Sequence, residues 1–412
     1  MSTAITDRAP PSPWLIGALY CAQGIPLGFT FEGLPVLLRG AGASLELLAW
    51  LPLAGLPWVL KLFWAPVVDN RWSARLGRRR SWILPMQALQ TVSLLLLALL
   101  PLDGANAPWL LAIVMLGVIA AATQDTATDG LAAEALRGAA LAHANALQIS
   151  GMMAGFMAGG AGLLLLTHFI GYRGAMLLLA LLMAAASVPA WRWREPPPAS
   201  APTHRAGIRH CLRRPAVWRL LLLVLFAGTF HSGAMAISKL MLVDGGWSAG
   251  AVGGVATLSG MAMILLGGPI GARLGARYGV WQAICAGLLV LAAAFIAWMA
   301  VATVQYRPMA VYAAAILLAV GGGIVSVAAS ILGMRFGGSG GQAGTDVTVL
   351  QSAFVFGETM SAGLAVSLAA MLGYGPAFLI GVGAIALALV FIRWIGGAPS
   401  IASYFNAPQA MP

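Results

Sequence analysis

Charge is what this sequence has least of. Of its 412 residues only 8% are Asp, Glu, Lys or Arg, while 60% are hydrophobic. A soluble domain carries about 25% charged residues. So small a supply cannot cover a water-facing surface, which excludes an ordinary soluble globular chain and leaves lipid as the solvent. Cysteine is also scarce: Cys21, Cys211 and Cys285 stand far apart. They carry neither a disulfide framework nor a metal-ligand spacing, and no metal or cofactor is expected. A membrane enzyme acting on lipids would need clustered His, Asp or Ser at an interfacial loop. No His-x-x-His pair, no nucleophile elbow and no Walker Gly-Lys-Ser/Thr is read here. A receptor or scaffold would bring a soluble signalling domain, for which no stretch is left over. Residues 1–13 lack a basic region with a cleavage site, so the first apolar run is expected to act as the insertion signal.

What is abundant is long apolar sequence. Twelve runs are expected to span a bilayer: 14–38, 46–66, 81–101, 107–130, 143–167, 172–193, 216–242, 250–272, 280–303, 309–334, 343–370 and 374–394. Each approaches the roughly 20 residues that a spanning helix needs. They are continuous rather than alternating, which excludes a β-barrel. The 51 glycines suit close helix contact in lipid. With the N-terminus inside, the cytoplasmic segments hold 18 arginines and the outer ones 3, namely Arg39, Arg173 and Arg307. This asymmetry puts both termini in the cytoplasm. It also accounts for the net charge of +11 without nucleic acid.

The Pro- and Arg-rich stretch 194–215 divides the spans six and six. The predicted fold is therefore an all-α membrane protein of twelve helices in two six-helix bundles, residues 1–193 and 216–412, joined by a cytoplasmic linker. Asp69-Asn70-Arg71 with Gly77-Arg78-Arg79-Arg80, and Gly271-Ala272-Arg273 with Gly275-Ala276-Arg277, follow the second and eighth spans. The first loop begins 55 residues after Trp14 and the second 55 after Ala216, as a duplicated unit would require.

An ionisable group inside a span costs about 2.5–3.5 kcal/mol at mid-bilayer, so it faces a cavity or a partner. The candidates are Glu32, Lys61, Asp125, Asp129, His231, Lys239 and Glu358. Asp125 and Asp129 are four apart and share a helix face, beside the amide of Gln124. They suit substrate or proton binding, or a structural cap. Glu358, deep in the eleventh span, is placed to take up and release a proton, or to make a neutral helix contact. His231 has the same two readings. Glu32 and Lys239 lie toward the outer ends of the first and seventh spans, as an outer gate or as snorkelling side chains. Tyr20, Gln23 and Gln351 reach cavity depth, where they line a path or pack helices. Asp69 and Arg78 suit either a conformational lock or a topology anchor.

Three stretches together resemble one family: Tyr20-Cys21-Ala22-Gln23-Gly24-Ile25-Pro26-Leu27-Gly28, Leu56 to Asp69 continuing to Gly77-Arg78-Arg79-Arg80-Ser81-Trp82, and Ala122 to Gly130. They look like the AmpG-like branch of the major facilitator superfamily, which holds muropeptide permeases, acetyl-coenzyme A carriers and siderophore permeases. The usual Gly four residues before the Asp is Ala65 here. A compact twelve-span chain is most similar to the RhtX/FptX-type siderophore permeases. The resemblance implies an inner-membrane secondary transporter working by alternating access, importing a ferric siderophore such as pyochelin, with a muropeptide as the alternative. It implies a monomer with a small-molecule substrate, the bilayer and possible proton coupling as its only partners. It picks out Gln23, Lys61, Gln124, Asp125 and Asp129 as site residues, with Lys61 either in contact with substrate or paired with Asp125 or Asp129. It makes Asp69 and Arg78 parts of the cytoplasmic lock between the bundles.

Overall fold

The computed structural model describes residues 11–41, 54–103, 106–196, 205–215, 217–303 and 307–396. Helices account for almost all of them: α1 (Pro13–Gly40), α2 (Leu56–Leu60), α3 (Ala65–Asn70), α4 (Arg80–Leu99), α5 (Ala107–Ala135), α6 (Gly138–Met157), α7 (Leu163–Arg192), α8 (Ile208–Leu212), α9 (Val217–Asp244), α10 (Ala249–Ala262), α11 (Gly268–Arg277), α12 (Val280–Thr303), α13 (Pro308–Gly337), α14 (Ala343–Leu372) and α15 (Tyr374–Gly396). Ten runs among the described residues are long and apolar enough to cross a membrane. The longest, Gly138–Arg192, leaves helical geometry at Gly171, where φ is +69° and only glycine is unstrained, and so holds two crossings. The second expected span, 46–66, lies partly outside the described residues. Its described end is the short helices α2 and α3 with the 3-10 turn Lys61–Phe63 between them. Part of the 194–215 stretch also lies outside the described residues.

Local chemistry explains the ends. Ser12 accepts from the Leu15 N–H at 3.2 Å and Pro13 occupies the first turn of α1. Ser248 caps α10 in the same way, accepting from the Ala251 N–H at 3.2 Å. Among the described residues, three π-helical turns interrupt the long runs, at Phe29–Gly33, Ala158–Gly162 and Met263–Gly267.

The chain forms two compact units. Unit 1 is Met1–Pro57, Trp64–Ala206 and Gly337–Thr345; unit 2 is Trp58–Phe63, Gly207–Phe336 and Asp346–Pro412. In unit 1, α1 packs on α6 backbone to backbone. A Cβ at Gly28 would stand 1.9 Å from the Phe156 carbonyl oxygen, and one at Gly155 would stand 2.0 Å from that of Cys21. In unit 2, the Gly321-Gly322-Gly323 run of α13 meets three neighbours in turn: Leu291 of α12, His231 of α9, and Gly267. Successive residues of a helix point about 100° apart, so three adjacent small residues let three elements close in. Unit 2 also holds an apolar cavity of about 600 Å³ along α9, α14 and α15, walled by Phe230, Phe295, Leu364 and Phe391 among others.

Candidate functional site

Unit 1 buries a polar cluster among α1, α4, α5 and α6. Within the helical stretch Gln124-Asp125-Thr126-Ala127-Thr128-Asp129, the buried hydroxyls of Thr126 and Thr128 are satisfied by donating to the Ala122 and Gln124 carbonyls. All six are buried, so the helix is enclosed on every side here. Asp129 Oδ1 accepts from the Tyr20 hydroxyl and, at 3.3 Å, from Gln148 Nε2. Gln124 accepts from Gln90 Nε2 at 2.7 Å and donates to the Leu19 carbonyl at 3.1 Å. Gln23 donates to Thr128 Oγ1 at 3.3 Å, and Trp64 donates to Thr123 Oγ1 at 3.1 Å. Asp125, one turn from Asp129, is buried. Among the described residues, the buried oxygens of Gln23, Gln87, Gln90, Asn145 and Gln148 have no hydrogen-bond donor. A buried acceptor without a donor is costly, so the cluster offers unused acceptors.

Of the residues picked out from sequence, Tyr20, Gln23, Gln124, Asp125 and Asp129 therefore share one region. Glu32 lies apart from them in the Phe29–Gly33 π-turn, against Gly160. Lys61, His231, Lys239, Gln351 and Glu358 fall in unit 2. Lys61, fully buried, donates to Gln351 Oε1 and sits 4.7 Å above the Trp58 ring. Glu358 accepts from Ser232 at 3.3 Å. The half-buried His231 ring lies against Gly322, where a Cβ would come within 2.3 Å of it. Lys239 is exposed.

A second cluster of unit 1 lies at the start of α4. Asp69 Oδ1 accepts from Arg79 at 2.7 Å and Arg78 at 3.3 Å, while Oδ2 accepts from both the backbone N–H and the hydroxyl of Thr345, each at 2.7 Å. Glu134 accepts from Arg79 at 2.6 and 3.0 Å and from Arg78 at 2.9 Å. Glu195 takes the backbone N–H groups of Arg79 and Arg80, each at 2.8 Å, and so caps α4. Gly77 is obligatory there: its φ is +98°, and a Cβ would meet the Glu195 carboxylate at 2.5 Å. Burial pushes the Asp69 carboxyl up, but Arg79, Arg78 and the Thr345 donors outweigh it and hold Asp69 below the usual carboxylate range. Burial works against the charge of Arg79 too, yet Glu134 and Asp69 lift that guanidinium above its ordinary value. Arg78 is held below its own, by burial and by Arg79 alongside.

Sequence reasoning singled out Asp69 and Arg78 in this cluster and missed Arg79, Glu134, Glu195 and Thr345. Arg79 is the fully buried arginine, slotted between Gly130 and Gly344, where added Cβ atoms would lie 2.4 and 2.9 Å from its guanidinium. The available signal was Gly130 with Glu134 one turn beyond it. A nucleophile elbow was also read as absent, yet Gly337-Gly338-Ser339-Gly340-Gly341 has the Gly-x-Ser-x-Gly spacing. It links helix α13 to helix α14 with no strand before it, so the strained strand-to-helix turn of a nucleophile elbow is not formed. Among the described residues, no three His, Cys, Asp or Glu side chains are grouped to hold a metal.

Comparison with known proteins follows the same lines. The anhydromuropeptide permease of Escherichia coli K12 is 26% identical over 271 residues, 64% of this chain and 55% of that protein. An uncharacterized membrane protein of Saccharomyces cerevisiae is 32% identical over 171 residues, 35% of this chain and 30% of that one. The chain thus spans about half the length, or less, of the curated relatives it matches. In fold, the human organic anion transporter TETRAN superposes with a TM-score of 0.70 at 19% identity, covering 92% of this chain and 98% of that one. The transporter FucP in its outward conformation does so with a TM-score of 0.65 at 14% identity, covering 93% and 98%. The family model described as Major Facilitator Superfamily matches residues 16–345, and the chain, a multi-pass helical membrane protein, belongs to that family.

Proposed function

We propose that this protein is a secondary transporter of the bacterial inner membrane that carries a muropeptide-type solute by alternating access. The observation that carries the substrate reading is the buried cluster of unit 1, with its surplus of amide oxygens. A muropeptide is an amino sugar bearing a short peptide, so it brings hydroxyl and amide N–H donors for those oxygens. Likeness to the anhydromuropeptide permease supports the same choice. The expectation of a ferric siderophore has no such support among the relatives described above. The arginine asymmetry of the loops favours cytoplasmic termini.

Release of the Asp69–Thr345 contact is, on this reading, one step of the cycle, because Asp69 holds the first turn of α14 to the start of α4. Asp69→Asn keeps an acceptor but loses the charge that holds Arg79, and is expected to stall or bias the cycle. Spin-label distances would then change; an unchanged distribution with full transport would reduce Asp69 to an anchor.

The test of substrate is uptake into reconstituted vesicles. Radiolabelled anhydromuropeptide is expected to accumulate and ferric pyochelin to stay at background. Accumulation of the siderophore alone, or of neither, overturns the proposal.

A further inference from the structure

A small cavity in unit 2, of about 30 Å³, is lined by His231, Ser238, Lys239, Ser259 and Trp298 together with apolar side chains of α9, α10 and α13. Its polar groups are unequal. Ser238 and Ser259 spend their hydroxyl protons on their own helices, on the Met235 and Val255 carbonyls at 3.0 and 2.9 Å. The other three are potential donors, and among the described residues none has a hydrogen-bond or ion-pair partner. Lys239 is an exposed cation at the mouth. His231 is half-buried and reaches α13 only because Gly322 has no side chain. Trp298 is 1% exposed, stacked on Phe378 with ring centroids 6.4 Å apart, and its indole N–H is buried without an acceptor. Tryptophan can only donate, and a buried donor left alone is costly.

We infer that this cavity is a subsite for a carboxylate, with Lys239 supplying the charge and His231 and Trp298 the neutral donors. The size agrees: one water needs about 10–15 Å³ of such space, so the cavity takes about two oxygens and no larger group. A carboxylate presents two acceptor oxygens on one carbon, and its hydrogen bonds to a cation are the strong, charge-assisted kind. A phosphate or a sugar ring is too large. Resting on the muropeptide reading, the inference assigns the cavity to the free carboxylate of the peptide portion.

Two measurements test it and separate its failure from that of the parent reading. In vesicles, the KM of anhydromuropeptide is compared with that of its C-terminal amide. The amide is expected to show a KM about tenfold higher in the wild type, and Lys239→Met to raise the KM of the acid by a similar factor and erase the preference. Equal KM values for acid and amide in the wild type overturn the subsite and leave the transport reading standing. The second measurement needs no uptake. Thermal unfolding in detergent is followed with N-acetyl-alanyl-alanine or its amide. The free acid is expected to stabilise the wild type, the amide not, and neither to stabilise Lys239→Met or Trp298→Phe. No shift with the acid, or equal shifts with acid and amide, means that the cavity holds water only and overturns the inference.

Discussion

The two units solve one problem differently: how to bury polar groups inside helices that stand in hydrocarbon. Unit 1 closes around them. Its α1 and α6 touch backbone to backbone through glycine, its amides and acids bond one another, and Arg79 is fully enclosed between Asp69 and Glu134. Unit 2 also brings α9 and α14 together through Gly228 and Gly357, but it leaves space beside them, the apolar cavity of about 600 Å³ and the donor-lined one of about 30 Å³. Among the described residues, unit 1 keeps its unused acceptors inside a closely packed cluster, while unit 2 leaves donors beside unfilled space.

The sharpest way to break this contrast is to add side chains where backbones meet. Gly28→Leu puts a carbon 1.9 Å from a carbonyl oxygen that cannot retreat. We expect a loss of more than about 3 kcal/mol, seen as failure to yield folded protein or a collapsed thermal midpoint in detergent. Gly233→Ala, beside the large cavity and 3.1 Å from the Ser361 carbonyl, is expected to cost less than about 1 kcal/mol. Equal losses would erase the distinction between the packed seam and the wall of the open cavity.

Next in size are the arginines. Arg79→Gln leaves Asp69 with Arg78 and the Thr345 donors and strips Glu134 of its closest cation, an expected cost of about 3 kcal/mol. Arg214 of unit 2 pairs with Asp346 and packs 3.6 Å over the Phe336 ring. Arg214→Gln is expected to cost about 2 kcal/mol, since it releases one carboxylate rather than two. Denaturant or thermal midpoints of the two variants rank them directly.

Coupling sharpens the comparison further. If uptake is proton-driven, Asp125 of unit 1 and Glu358 of unit 2 are the leading carriers, as hypotheses. The carrier's neutral form, Asp125→Asn or Glu358→Gln, should keep counterflow but lose accumulation against a gradient. Normal uncoupler-sensitive uptake by both variants removes both from the role.

The smallest effect is that of pH on the α4 cluster. Asp69 lies below its ordinary value of 3.8, so its contribution is complete above that value and is lost as the pH falls through the lower folded value. Glu195 is raised above 4.5, because burial outweighs the amides it caps; its contribution is present below 4.5 and lost as the pH rises through the folded value. Wild type should therefore lose more thermal stability below about pH 4 than Asp69→Asn does. Parallel acid profiles for the two proteins would remove Asp69 as the source.

Much of this was legible beforehand. Apolar runs announced the helices, since length and hydropathy are properties of consecutive residues. Asp125 and Asp129 announced a shared face, since their spacing is helical. Partners were not legible. Nothing along the chain says that Tyr20 meets Asp129 across 109 positions, or that Lys61 meets Gln351 across 290. Arg79 was hidden for the same reason: two adjacent arginines read alike until glycines from α5 and α14 enclose one of them.

By itself the sequence determined the solvent, the helical class and the candidate ionisable residues, because each depends on composition or on spacing within one helix. Only the tertiary structure decided which polar groups are satisfied and which are left with an empty valence. Hydrogen bonding acts over about 3 Å, a distance that packing between helices sets.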